Sequence, residues 1–277
     1  MNRGARASLL VAALSIVLAA LPAPRAGATE ALQAVEDGSC IRPVLRTAAP
    51  VGVGSCPGVR PGAYVFVPST RSGCTLNFVY RARYGRYYVA TAGHCVLNEG
   101  QQKLWPEGYG PVVTDGAGKP FGRFVFAAYK GNYDIGMILI SKGIAPKASM
   151  CHFGGPTGLT TSRSSRRVTI EHFGNSLGIG DAVPARTGIA LGMPDPYMVF
   201  GIIPSFLGDS GGPVLDASNG RAIGYITAIG VGFGVANGSP YGGPVFIHRS
   251  APQISYVQKY LKKTLTLRTA SHSASLL

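Results

Sequence analysis

Hydrophobic residues along this chain come in short runs interrupted by glycines and turns, and they rarely recur at helical spacing. In the clearest run, Cys74, Leu76, Phe78 and Tyr80 alternate with their neighbours, which predicts a half-buried strand over 74–80. Further strands are predicted at 87–91, 134–140, 168–170, 197–203, 222–229 and 245–247. Short strands at this spacing predict an all-β protein built from antiparallel barrels or a sandwich.

The last element has the pattern of a surface helix. Ser250 and Gln253 have the spacing of a capping box. The apolar residues that follow share one helical face, and they are Ile254, Val257, Leu261 and Leu265. We predict a helix over 251–266 and a flexible tail over 269–277.

The amino terminus has the layout of a secretory signal peptide. Arg3 and Arg6 precede an apolar run over 9–21, and small residues follow at 26–28. The apolar run is too short to span a bilayer. We therefore predict a cleaved signal peptide over 1–28, a secreted protein without stable membrane insertion, and an N-terminal extension or short pro-segment over 29–62.

The net charge bears on the expected binding partners. The chain carries 26 lysines and arginines against 12 acidic residues, a formal net charge of +14, which favours contact with anionic surfaces. The basic residues are scattered, with Arg163, Arg166 and Arg167 as the densest group, and no aromatic residue lies within 163–167. We predict no nucleic-acid partner and a monomeric protein.

Two glycine-containing stretches carry the candidate chemistry. Residues 208–213 read Gly-Asp-Ser-Gly-Gly-Pro and hold Ser210 in a tight turn, as a nucleophile for acyl transfer requires. Residues 88–95 bring an apolar strand to a small-residue turn that ends at His94, a candidate general base. The Gly-x-Ser-x-Gly pattern also fits an α/β-hydrolase esterase, but that fold needs a helix directly after the serine, which Gly211, Gly212 and Pro213 disfavour.

Thr-Ala-Gly-His-Cys at 91–95, followed far downstream by the 208–213 stretch, resembles the chymotrypsin-like serine proteases. The resemblance implies two six-stranded antiparallel β-barrels within a protease domain over 63–268, with an N-terminal barrel at about 63–148, a C-terminal barrel at about 160–250 and a carboxy-terminal helix. The stretch Arg-Thr-Gly-Ile-Ala-Leu-Gly at 186–192 is similar to one in the secreted bacterial branch of alpha-lytic protease and the streptogrisins, although Ala190 and Leu191 replace two threonines.

The third catalytic residue implied by the chain order His, Asp, Ser is Asp134, which stands directly before a very apolar strand. The expected oxyanion donors are the backbone N–H groups of Gly208 and Ser210. These residues predict a secreted endopeptidase that acts on protein or peptide substrates through an acyl-enzyme, and the alternative is a catalytically silent binding protein on the same scaffold. Metal motifs are missing from the sequence, so we expect no metal or other cofactor. The remaining histidines are expected to be structural or exposed rather than ligands, and they are His152, His172, His248 and His272.

The resemblance also implies a specificity pocket. Its expected lining residues are Pro204, Ser205, Thr227, and either Ile229 or Gly230. The position that is acidic in trypsin-like members is Pro204 here. We therefore predict cleavage after apolar or small uncharged residues.

Five cysteines in an exported chain imply at least one disulfide. The resemblance implies a bond between Cys74 and Cys95, which flanks the histidine. For the others, we favour a bond from the amino-terminal extension to Cys151, with Cys56 preferred over Cys40, and a local Cys40–Cys56 bond remains the alternative.

Asp209 adjoins the candidate nucleophile on a turn that must aim two N–H groups inward, so its carboxylate needs a compensating cation. No Ile-Val-Gly-Gly segment precedes Cys74 to supply a freed amino terminus. Arg186 stands where the bacterial branch carries a buried arginine. We therefore predict a buried ion pair between Arg186 and Asp209.

Overall fold

The computed structural model describes residues 56–162, 167–175, 184–192, 195–229 and 243–273. The predicted signal peptide, Cys40, Arg163, Arg166 and Gly230 lie outside the described residues. Among the residues that are described, no helix has both the length and the apolar character needed to cross a membrane.

The first half of the chain, together with one strand from residues 265–267, forms a half-barrel. It is a curved nine-stranded sheet in the order β16-β3-β4-β8-β7-β6-β1-β2, with β5 paired to β7. Every pairing in it is antiparallel. Its strands are β1 (Tyr64–Val67), β2 (Ser72–Thr75), β3 (Val79–Ala82), β4 (Tyr87–Thr91), β5 (Gln101–Leu104), β6 (Val112–Thr114), β7 (Pro120–Lys130), β8 (Tyr133–Ile140) and β16 (Leu265–Leu267). Short 3₁₀ turns at Arg83–Gly85 and Gly93–Cys95 flank β4.

The second half forms a closed six-stranded barrel in the order β13-β10-β11-β12-β15-β14, which a β13–β14 pairing closes. The short strand β9 adds to β14 in parallel. The strands of this half are β9 (Gly158–Leu159), β10 (Val168–Phe173), β11 (Ala185–Gly192), β12 (Met198–Ile203), β13 (Pro213–Asp216), β14 (Arg221–Ile229) and β15 (Gly243–Arg249). The all-β architecture predicted from the sequence is confirmed.

One apolar core reaches across both halves. Phe173, Leu215 and Tyr225 of the barrel pack into the same buried cluster as the half-barrel residues. A smaller second cluster fills the barrel interior. It includes Val199 and Ile226. Burial of this apolar surface holds the two halves of the molecule together.

The strand predicted over 74–80 is two strands joined by an extended link. β2 ends at Thr75 and β3 begins at Val79. All seven residues are buried, so the segment is not half-exposed. Contacts on both sides bury the segment: Thr75 N donates to Ser210 O of the second half, and Asn77 N donates to Ala90 O within the half-barrel.

The carboxy-terminal helix α1 (Ser250–Leu261) is shorter than predicted. It stops because Lys262 adopts a left-handed conformation with φ of 51°, and the chain then continues into β16 beside β3. The predicted capping box is not formed, since Gln253 Nε2 donates to Asn132 O instead. The segment predicted to be a flexible tail is packed against the protein as far as residue 273, where Ser273 N donates to Phe153 O.

The described cysteines form two disulfides, Cys74–Cys95 and Cys56–Cys151. The second joins the leading segment to the end of the half-barrel across 95 residues of sequence, and both of its cysteines are buried. Closing a long loop in the unfolded chain stabilises the folded state.

We expect replacement of both Cys56 and Cys151 by serine to lower the free energy of unfolding by about 2–4 kcal/mol, because the unfolded chain regains the entropy of that loop. Urea denaturation of the secreted protein measures the change. Cys40→Ser is the matched control and is expected to be neutral. An equal loss in Cys40→Ser would contradict the assignment.

Candidate active site

His94 and Asp134 come together at the ends of two neighbouring strands. β4 and β8 pair antiparallel with Thr91 opposite Gly136, so the turn after β4 lies beside the start of β8. His94 Nδ1 lies 2.7 Å from Asp134 Oδ2, and His94 N donates to Asp134 Oδ1 at 2.9 Å. Asp134 is 4% exposed, whereas the His94 side chain is 25% exposed. A buried carboxylate therefore fixes the position of a histidine that still reaches solvent.

Gly93 explains how the backbone can make this contact. A Cβ atom at Gly93 would lie 2.0 Å from Ala128 O and 2.9 Å from Ile135 N. Only glycine allows the turn to approach β7 and β8 this closely. The backbone of Asp134 has one further support, because Tyr225 Oη donates to its carbonyl oxygen at 2.9 Å.

Contacts with the half-barrel bring Ser210 to the same region. Thr75 N donates to Ser210 O at 2.9 Å, and Thr75 Oγ1 donates to Gly208 O at 2.8 Å. Gly211 has φ of +87°, and a Cβ there would lie 2.4 Å from Thr91 Oγ1. The turn after Ser210 is thus packed against the end of β4, three residues before His94. His94 and Ser210 are not joined by a hydrogen bond in this structure, a contact that often tightens only when substrate binds.

The turn around Ser210 leaves two N–H groups unused. Asp209 N donates to Phe206 O, Gly211 N to Ile226 O, and Gly212 N to Asp209 O. Among the described residues, the N–H groups of Gly208 and Ser210 meet no acceptor. Gly208 has φ of 105°, a conformation that favours glycine. A backbone of this shape can offer two donors to a developing oxyanion.

Arg186 and Asp209 form a buried ion pair behind this turn. Arg186 Nη1 lies 2.5 Å from Asp209 Oδ2 and Nη2 lies 2.8 Å from Oδ1, with side-chain exposures of 2% and 0%. Phe206 N also donates to Asp209 Oδ2 at 2.8 Å. Burial by itself raises the pKa of Asp209, but the Arg186 charge and the hydrogen bonds outweigh it and hold that pKa far below its ordinary value.

Comparison with solved structures identifies the fold of the chain. The protein is similar to a glutamic acid specific serine protease described as using a histidine triad in substrate binding, at 17% identity and a TM-score of 0.51, over 77% of this chain and 100% of that chain. It is also similar to the Nocardiopsis protease, at 14% identity and a TM-score of 0.51, over 76% of this chain and 100% of that one. The chain has the chymotrypsin-like fold. No protein-family model and no curated protein sequence matches it.

The predicted pocket residues of this chymotrypsin-like fold lie along two segments. Pro204 and Ser205 precede the Ser210 turn, and Pro204 O accepts a hydrogen bond from Arg186 Nη1 at 2.9 Å. Thr227 and Ile229 lie on β14, where Thr227 Oγ1 is 3.2 Å from Phe246 O and 2.8 Å from His248 Nδ1. All four side chains are uncharged. These two contacts hold Thr227 against β15.

One group of side chains has metal-ligand spacing among the described residues, comprising Cys74, His94 and Cys95. The two sulfurs are bonded to each other, so they are not available as thiolate ligands. Thr91 Oγ1 lies 3.7 Å from Cys95 Sγ and completes the packing around this disulfide. The cluster braces the His94 turn.

Two parts of the site have no signal in the sequence. Thr75 holds the Ser210 turn from 135 positions away, through the contacts to Ser210 O and Gly208 O given above. His172 lies on β10, fully buried beside Asp209. Neither residue belongs to a recognisable motif. Only the glycines at 208 and 211 indicated that something must approach this backbone closely.

Proposed function

We propose that this protein is a secreted serine endopeptidase whose catalytic residues are His94, Asp134 and Ser210. The observation that carries the proposal is the His94–Asp134 hydrogen bond beside a glycine-built turn that presents Ser210 with two unused N–H groups. The structural neighbours are serine proteases, which agrees with this chemistry. The amino-terminal signal pattern and the two disulfides support export from the cell.

In this proposal each group has a role in the reaction. Because His94 Nδ1–H donates to Asp134, the unprotonated Nε2 can take the proton of Ser210 Oγ as that oxygen attacks the peptide carbon. The same proton then passes to the leaving amine, and water repeats the sequence to release the acyl group. Asp134 orients His94 and stabilises the imidazolium. The Gly208 and Ser210 N–H groups bind the oxyanion, a contribution of about 3 kcal/mol for each donor.

A catalytically silent binding protein is the alternative of a different class. Such a protein would hold a peptide in the cleft without cleaving it. Incubating the secreted protein with denatured casein and identifying the fragments by mass spectrometry distinguishes the two. Turnover is the expected result, and stable binding of intact peptides without any fragment would contradict the proposal.

For specificity, we expect cleavage after apolar or small uncharged residues, because the described pocket residues Pro204, Ser205, Thr227 and Ile229 offer a substrate side chain no charge of either sign. A peptide library with mass-spectrometric readout gives the preference at the residue before the cleaved bond. Lysine or arginine dominating that position would contradict the expectation. So would glutamate, the specificity named for one structural neighbour.

A further inference from the structure

His172 lies behind the Ser210 turn, and its side chain is completely buried. Its Nδ1 atom is 3.0 Å from Pro213 O, three residues beyond Ser210. A carbonyl oxygen only accepts hydrogen bonds, so Nδ1 carries the proton and donates it. In the neutral ring the other nitrogen, Nε2, then carries a lone pair and no hydrogen.

This Nε2 atom faces Asp209. It lies 3.6 Å from Oδ1, too far for a hydrogen bond, and it has no partner among the described residues. Asp209 Oδ2 accepts from both Arg186 Nη1 and Phe206 N, whereas Oδ1 accepts from Arg186 Nη2. A carboxylate oxygen can accept two hydrogen bonds, so Oδ1 has capacity for one more. Two acceptors thus face each other across a gap that one proton would bridge.

Glycines on either side leave this ring little freedom. A Cβ at Gly174 would lie 2.0 Å from Asp209 Oδ1 and 2.5 Å from His172 Nε2, and a Cβ at Gly212 would lie 2.4 Å from the ring at Cε1. The ring is therefore in close contact with the backbone two residues after Ser210. Any movement of the ring or of Asp209 is transmitted to the turn that carries the two unused N–H groups.

We propose that His172 is a positioning residue for the oxyanion turn, and that uptake of a proton at its Nε2 shifts this turn out of its active geometry. A protonated Nε2 donates to Asp209 Oδ1, and such a charge-assisted bond contracts to about 2.8 Å. The ring or the carboxylate must then move by roughly 0.8 Å, and both adjoin the Ser210 turn. The inference rests on the proposed peptidase function for its effect on activity, but not for the structural change.

The charges around the ring decide when the proton binds. Among the described residues, the charged groups that face it are Asp209 and Arg186, while Glu171, its neighbour on β10, bonds His272 Nε2 at 2.7 Å. Burial lowers the pKa of His172 below its ordinary value, and Asp209 opposes this only in part. The ring is therefore neutral at any pH above the ordinary pKa range of histidine. The stabilisation that the neutral ring gives to the folded state is lost as the pH falls from that range toward the lowered pKa.

The test compares the rate at which a fluorophosphonate labels Ser210 at pH 4.5 to 8, in the wild type, in His172→Asn and in His152→Asn. Asparagine at 172 keeps a donor near the Nδ1 position and removes Nε2, and His152→Asn is the matched control because it removes a histidine outside the turn. In acid, the labelling rate of the wild type and of the control should fall with a steepness that corresponds to the uptake of about two protons. The rate of His172→Asn should fall with a steepness that corresponds to about one proton. At pH 8 the His152→Asn control should react at the wild-type rate, whereas His172→Asn is judged by the shape of its own pH profile.

A second readout follows the wild-type protein by NMR. The ring nitrogens of His172 and the amides of Gly208 and Gly212 should titrate together. An unchanged acid limb in His172→Asn, or glycine amides that stay fixed while His172 titrates, would overturn the inference. If no variant is labelled at any pH, the proposed peptidase function fails, and the NMR titration alone decides the role of His172. The same measurement decides if His172→Asn does not fold.

Discussion

Replacing Ser210 by alanine is expected to lower kcat by a factor of about 10⁶ while leaving the protein folded. The loss is this large because the hydroxyl is the attacking group and neither His94 nor the oxyanion turn replaces it. Folding should persist, since Ser210 is held by its backbone through Thr75 and its side chain is only half-buried. Hydrolysis of a peptide substrate and thermal unfolding measure the two effects.

Ser255→Ala is the matched control for this change. Ser255 is exposed on α1, and its hydroxyl donates to Ala251 O within the helix. We expect its kcat to equal that of the wild type. Retention of more than about 1% of the activity in Ser210→Ala would mean that another residue supplies the nucleophile.

Replacing Arg186 by alanine is expected to cost about 3–5 kcal/mol of unfolding free energy, because it leaves the Asp209 carboxylate buried without its cation. The oxyanion turn should lose its geometry first, since Asp209 adjoins Ser210 and also accepts from Phe206 N. Below the midpoint of denaturation the variant should therefore be folded but poorly reactive. Urea titration monitored by both fluorescence and peptide hydrolysis separates the two losses.

The sign of the pH dependence follows from the pair. A carboxyl with a lowered pKa stabilises the folded state above the ordinary aspartate range, and that contribution is lost only as the pH falls toward the lowered value. The cost of Arg186→Ala should consequently stay constant across neutral pH. Arg167→Ala, which removes an exposed arginine, is the control and should change stability by less than about 0.5 kcal/mol. A wild-type stability in Arg186→Ala would contradict the role of the pair.

Much of the fold could be predicted because the local signals agree with the long-range contacts. The glycines at 208 and 211 have positive φ, and Gly93 meets the backbone of Ala128, so each marks a place where a side chain cannot fit. A short sequence motif that contains such glycines therefore indicates where the backbone makes these close contacts. The apolar strand after Asp134 is likewise buried along its whole length, as its composition indicated.

The rest depended on contacts that no local pattern records. Periodicity placed Leu265 on the face of a longer helix. Instead, the helix ends before Lys262, and Leu265 lies in β16, where it pairs with Ala82 of β3. Alternation in 74–80 suggested a single half-buried strand, whereas all seven residues are buried in the folded protein. Both errors arise from tertiary packing overriding local preference. The proximity of His172 to Asp209 also depends on the tertiary fold, because nothing in the sequence brings the two residues together.

The central claim is that Ser210 is an activated nucleophile, and one measurement tests it most directly. The secreted protein is treated with a fluorophosphonate at neutral pH, digested, and mapped by mass spectrometry, with Ser210→Ala treated in parallel. Our account predicts a single stoichiometric adduct on Ser210 that the alanine variant lacks. An unlabelled wild-type protein, or an adduct on any other residue, would contradict it.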